Sequence, residues 1–303
     1  MTEELAFSMR NVDKGFPFFK LQNLTLELPQ GQVMGLIGPN GAGKSTAIRL
    51  LMGLIQAEQG EVEVLGKSIP REVVAAKWQV GFASEDMRLY AGSTLQWHMN
   101  FLRSIYPSWD ENYAKNLLNN FGLIPEQKIK GLSHGQRVKA GLLLILARKP
   151  KLLILDEPTT GLDPVARKEI LEELFEVLKD DDRSILFSSH NTQDVEQLSD
   201  TIAFIDRGAL VDCRDKESFL ENWRRIRLQK LSDIKVNANN LPALVDLTIS
   251  GQFAVAITDK FNESMSASYQ QLGFSVISVE PMSLEEIFVA NVMSRRKEVN
   301  CEY

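Results

Sequence analysis

At Gly38–Thr46 the chain reads GPNGAGKST, directly after the apolar run of residues 32–37. This is GxxxxGK[ST], with Gly38, Gly43, Lys44 and Ser45 in register, and its flanks predict the strand, loop and helix that the pattern requires. Few folds accommodate such a loop, because it must present backbone N–H groups inward at the end of a buried strand. The glycines allow that approach, and Lys44 supplies a compact cation for the β- and γ-phosphates of a nucleotide. The Ser45 hydroxyl can ligate Mg²⁺, and the dipole of the helix starting near Lys44 adds to the attraction. Pro39, Asn40, Gly41, Ala42 and Thr46 complete the expected cradle. A glycine-rich turn before an ordinary helix is the competing reading.

A second element lies at LLILDEP, residues 152–158. Leu152–Leu155 is too short for most helices and suits a parallel strand covered on both faces. Asp156 and Glu157 then emerge at its C-terminal end, the edge at which doubly wound sheets carry their ligand crevice. There Asp156 can hold Mg²⁺ and Glu157 can accept a proton from an attacking water. An adjacent acidic pair at a strand end is otherwise a solvated turn. LSHGQ at residues 132–136 precedes this strand, and GLDP at 161–164 and SSH ending at His190 follow it.

The ordered set resembles the ATP-binding subunits of ABC transporters over roughly residues 5 to 215, and more weakly to the C-terminus. LSHGQ resembles that family's signature loop, GLDP its D-loop and His190 its switch histidine. The resemblance implies a head-to-tail homodimer, each ATP held between the phosphate loop of one subunit and the signature loop of the other. Ser133, the Gly135 N–H and the helix starting near Gln136 would offer donors to a γ-phosphate arriving across that interface. His190, after the apolar SILF strand, would hydrogen-bond the γ-phosphate; His98 has no such context and reads as an ordinary surface or core residue.

Two positions depart from the family pattern. The signature is usually LSGGQ, and His134 stands at its third position, where a side chain points toward the nucleotide interface or solvent and either adds a donor or, as expected here, does nothing. In GFASEDMRLY, residues 81–90, Glu85 replaces the expected Q-loop glutamine. A carboxylate is a harder, charged oxygen ligand, so Glu85 joins Ser45 and Asp156 as a candidate metal ligand.

Composition agrees with an α/β ATPase. The chain has 303 residues, enough for one large domain and a small appendage, and 44% hydrophobic with 24% charged residues is an ordinary globular balance. No stretch approaches the roughly 18 apolar residues of a membrane span, and MTEELAFSMR lacks a basic and an apolar leader region. Two cysteines, Cys213 and Cys301, exclude a disulfide framework and a cysteine-rich zinc site, and they suit a reducing cytosol. A net charge of −6 argues against a general nucleic-acid binder and leaves room only for a local basic patch.

Alternation in LTLEL, residues 24–28, predicts a half-buried antiparallel strand, from which Phe16, or failing it Phe18, could stack on adenine. Helical patterning from Ser93 to about Arg148, broken at Pro107 and at Gly122 and Pro125, matches the family's helical subdomain at about 88–148. The expected layout is a parallel core sheet, an antiparallel β flank and this helical subdomain within residues 1–215. After it, RRIRLQ, LVDLTI, FAVAIT and FSVISV read as strands, and SLEEIFVANVMSRRK as an amphipathic helix capped by Ser283. Residues 216–303 thus read as a small α+β accessory domain, similar to that of many bacterial drug and antibiotic exporter ATPases. Arg295, Arg296 and Lys297 read as a solvated helix end.

These readings point to a Mg²⁺-dependent ATPase that powers a separately encoded membrane permease from the cytoplasmic face, export being favoured by the C-terminal extension. A non-transport ABC ATPase in DNA repair, translation or regulation is the alternative. Such proteins tend to carry a long coiled-coil insertion, zinc-binding cysteines or two cassettes, none of which is seen here.

Overall fold

The computed structural model describes residues 4–84, 87–179, 183–231 and 244–301, the last four without their side chains. The chain divides into two compact units, Met1–Leu210 and Val211–Tyr303.

In the first unit the strands β1 (Leu5–Phe16) and β2 (Phe19–Pro29) form an antiparallel hairpin, followed by β3 (Val33–Ile37), the helix α1 (Lys44–Leu51), β4 (Gln59–Val64), β5 (Lys67–Ile69), α2 (Val73–Lys77) and β6 (Val80–Ser84). Then come α3 (Leu95–Ile105), α4 (Glu111–Asn120), α5 (His134–Leu146), β7 (Leu152–Asp156), α6 (Pro164–Leu178), β8 (Ser184–Ser189), α7 (Thr192–Leu198) and β9 (Thr201–Asp206). The division between units falls inside β10 (Ala209–Asp215).

Two sheets result. The antiparallel one runs β2-β1-β4-β5. Leu24, Leu26 and Leu28 of β2 are buried while the residues between them are exposed, as the alternation in LTLEL demands. The other sheet has six strands in the order β10-β9-β3-β8-β7-β6, and the pairs from β9 to β6 are parallel. Its strands β3 and β8 are buried at every position, and β7 at all but Asp156, because parallel strands are covered on both faces.

Local chemistry sets the helix starts. Thr94, Asp110 and Asn191 each accept a first-turn backbone N–H of α3, α4 and α7 through their side chains. Asp163 does the same for α6, with Pro164 at its first position. The helical stretch from Ser93 is three helices, interrupted where the sequence places its breaks: Pro107 lies between α3 and α4, and Gly122, at φ +59°, and Pro125 lie between α4 and α5. His98 is a core residue. Its Nε2 accepts the Tyr90 N–H at 3.0 Å and its Nδ1 donates to the Thr94 carbonyl at 2.8 Å.

The second unit contains α8 (Lys216–Asn222), β11 (Arg224–Lys230), β12 (Leu244–Ser250), β13 (Phe253–Thr258), α9 (Met265–Gln271), β14 (Phe274–Pro281) and α10 (Leu284–Cys301). Its antiparallel sheet runs β12-β13-β11-β14. Ile226, Leu228, Ala254 and Ala256 pack there with Met265 and Tyr269 of α9. Sequence patterning missed α9, whose MSASYQQ is short and polar and buries only those two side chains. Ser283 caps α10: its hydroxyl accepts the Glu286 N–H at 3.3 Å and its own N–H is bound by the Glu286 carboxylate at 2.9 Å. The basic end of α10 is not merely solvated, since Lys297 Nζ pairs with Asp246 at 2.6 Å.

Candidate functional site

Sheet order, not chain order, assembles the site. β8 lies between β3 and β7, with Ile37 paired to Ser189 and Asp156 to Ser188. The loops leaving these three strands at their C-terminal ends therefore lie side by side: the phosphate loop after β3, His190 after β8 and Glu157 after β7.

A cavity of about 680 Å³ opens there, lined by residues 39–46 together with Phe18, Phe19, Glu157, Thr160 and His190. The phosphate loop is closely built. A Cβ on Gly38 would stand 2.4 Å from the Ile205 carbonyl oxygen, and Gly43 adopts φ +114° with Phe19 where its Cβ would point. Gly43 also begins α1, which has no side-chain cap, so its first-turn N–H groups keep their capacity to bind an anion. Lys44 is buried beneath the loop, and its ammonium donates to the Gly38 carbonyl at 2.7 Å.

Opposite the loop, Glu157 is held from several sides. Oε1 lies 3.2 Å from Lys44 Nζ, while Oε2 lies 2.8 Å from His190 Nδ1 and accepts the Thr160 hydroxyl at 3.0 Å. Its backbone N–H donates to the Ser188 hydroxyl at 3.1 Å, and that hydroxyl donates to Asp156 Oδ1 at 2.6 Å. Glu157 has φ +55°, a left-handed conformation uncommon for a residue with a side chain. Burial pushes its proton affinity up, but the His190 hydrogen bond, the Lys44 charge and the Thr160 hydroxyl together hold it below the ordinary glutamate range. It is therefore ionised at neutral pH and oriented as a proton acceptor.

Lys44, Glu157 and His190 thus come together with the loop residues Pro39–Thr46. Ser45 lines the cavity, whereas Asp156 stands just behind it on Ser188. These two oxygens suit a Mg²⁺ completed by nucleotide oxygens and water, the usual arrangement for that ion. Phe16 does not line the cavity; its ring centre is 6.2 Å from that of Phe19, and Phe18 and Phe19 are the aromatic residues that reach it. Glu85 lies outside the described residues. Ser133, Gly135 and Gln136 do not line this cavity in their own chain. Ser133 and Gln136 form a capping box at the start of α5, which leaves the Ser133 hydroxyl proton free to donate. Sequence reasoning missed Thr160, Ser188 and Phe19, because a hydroxyl or ring beside a motif carries no pattern of its own.

A family model described as ABC transporter matches residues 21–160. The lantibiotic transport ATP-binding protein SrtF of Streptococcus pyogenes is 36% identical over 193 residues, covering 63% of this chain and 82% of that one. The chain belongs to the ABC transporter ATP-binding family. The ABC transporter ATP-binding protein YtrB of Bacillus subtilis (strain 168) is 29% identical over 279 residues, 91% of this chain and 94% of the relative. A solved structure of an ATP binding subunit of an ABC transporter superposes with a TM-score of 0.65 at 25% identity, covering 71% of this chain and 92% of the other. This ABC ATP-binding subunit is accordingly an ATPase. Among the described residues no helix is long and apolar enough to cross a membrane.

Proposed function

We infer that this ABC subunit uses Lys44, Glu157 and His190 to hydrolyse ATP and so drives a separately encoded membrane permease, in the direction of export. The observation that carries the reading is the convergence of Lys44 and His190 on one carboxylate, Glu157, at the edge of the phosphate loop.

In this reading the loop N–H groups and Lys44 hold the β- and γ-phosphates, and the Ser45 hydroxyl and Asp156 hold Mg²⁺, which when bound neutralises developing charge on the phosphates. Glu157 takes the proton of the attacking water, and His190 orients Glu157 through Nδ1 beside the γ-phosphate. Ser133, Gly135 and Gln136 serve the nucleotide of a second copy in a head-to-tail homodimer, which is consistent with their lying away from Lys44 within one chain. Residues 1–215 act as the ATPase domain and 216–303 as an accessory domain. The direction of transport rests on the second unit and on the likeness to a lantibiotic transport protein.

Copurification from detergent-solubilised membranes tests the reading. A stoichiometric multi-span partner is expected; recovery with nucleic acid, or alone, would favour a role outside transport.

A further inference from the structure

His134, at the position where the family pattern has glycine, is turned toward the catalytic loop of its own chain. Its Nε2 stands 3.3 Å from the Thr160 carbonyl oxygen. A carbonyl only accepts, so Nε2 is the donor, a role it fills both as the neutral Nε2–H tautomer and as imidazolium. The contact has been given room. Residue 161 is glycine at φ +72°, and a Cβ there would lie 3.3 Å from His134 Nε2.

Thr160 passes the contact on. Its N–H donates to the Glu157 carbonyl at 3.3 Å, and its hydroxyl donates to Glu157 Oε2 at 3.0 Å. The other end is also firm, because His134 opens α5 directly after Ser133, whose capping box with Gln136 fixes the first turn. The side chain of residue 134 is therefore joined through one intervening residue to the carboxylate that faces the phosphate loop.

We propose that His134 is a positioning residue for Glu157, holding the loop of residues 157–160 through the Thr160 carbonyl so that the carboxylate keeps its orientation. The role rests on the reading of Glu157 as the base. A glycine at this position has no side chain with which to make the link.

The test is steady-state ATPase activity of the full chain, with MgATP affinity measured separately. His134→Ala lowers kcat about fivefold or more, while KM and the MgATP dissociation constant stay within about twofold, as a lost hydrogen bond and a slackened base require. His134→Gln, whose amide N–H reaches a similar point, restores at least half the rate. His134→Phe, with bulk but no donor, does not. Thr160→Val removes only the hydroxyl step to Glu157 Oε2 and leaves the carbonyl that His134 holds, so adding His134→Ala to it causes a smaller loss than His134→Ala causes in the wild type. Wild-type kcat in His134→Ala, equal rescue by Phe and Gln, or loss of MgATP affinity in every variant would each overturn the role. Glu157→Gln separates the two readings: if it turns over at the wild-type rate the base assignment fails, whereas an inactive Glu157→Gln beside a fully active His134→Ala defeats only the positioning role.

Discussion

Lys44 Nζ lies 3.2 Å from Glu157 Oε1 and 2.7 Å from the Gly38 carbonyl oxygen, so one buried ammonium joins the phosphate loop to the acidic strand. In the proposed mechanism a γ-phosphate entering the loop would compete with Glu157 for this cation, so that nucleotide binding would also free Oε1 to face water.

Replacing Glu157 by Gln removes the proposed proton acceptor and the carboxylate that pairs with Lys44 together. Turnover should fall by a factor on the order of 10² or more while MgATP binding is retained or tightened, and an ATP-bound dimer should accumulate. Turnover assays beside equilibrium binding and light scattering check this.

The depressed proton affinity of Glu157 has a definite sign in acid. Its contribution to stability is complete above the ordinary glutamate value of about 4.3 and is lost as pH falls through the lower folded value. As pH falls below about 4.3, urea midpoints should fall more steeply in wild type than in Glu157→Gln. His190→Ala removes the strongest of the influences lowering that affinity, so the acid limb of kcat/KM should move to higher pH.

Asp194 is buried and accepts hydrogen bonds from the Thr159 hydroxyl and Arg167 Nε, each at 2.6 Å, joining α7 to α6 and to the loop after Glu157. Asp194→Ala should destabilise the first unit by about 2–3 kcal/mol, less than for a fully buried pair because Arg167 is partly exposed. Denaturant unfolding followed in the isolated chain measures it.

If Ser133 serves the partner's nucleotide, Lys44→Ala and Ser133→Arg subunits, each inactive alone, should regain activity on mixing. Each heterodimer then holds one intact and one doubly damaged site. Failure to recover activity, although mixed dimers form, would place both residues in the same site of one chain.

At Glu85 a carboxylate should make ATP affinity more dependent on Mg²⁺ than an amide does. Titrating Mg²⁺ against ATP affinity in wild type, Glu85→Gln and Glu85→Ala should give three separate curves; superimposed curves would leave Glu85 as a passive substitute.

By itself the sequence determined the phosphate loop, the acidic pair, the alternating strand at Leu24–Leu28 and the capped helices. Each rests on chemistry confined to a few neighbouring residues: glycines at a turn, apolar periodicity, a hydroxyl or carboxylate ahead of a helix. Tertiary structure alone decided that β8 inserts between β3 and β7, which sets His190 against Glu157 and Glu157 against Lys44. It also decided that Phe18, the alternative to Phe16, reaches the cavity together with Phe19, that Thr160 and Ser188 hold the acidic pair, and that His134 touches Thr160. The reason is physical: strand order and side-chain contacts across a sheet edge depend on how distant segments share one buried core, and residues that meet there have no fixed spacing along the chain.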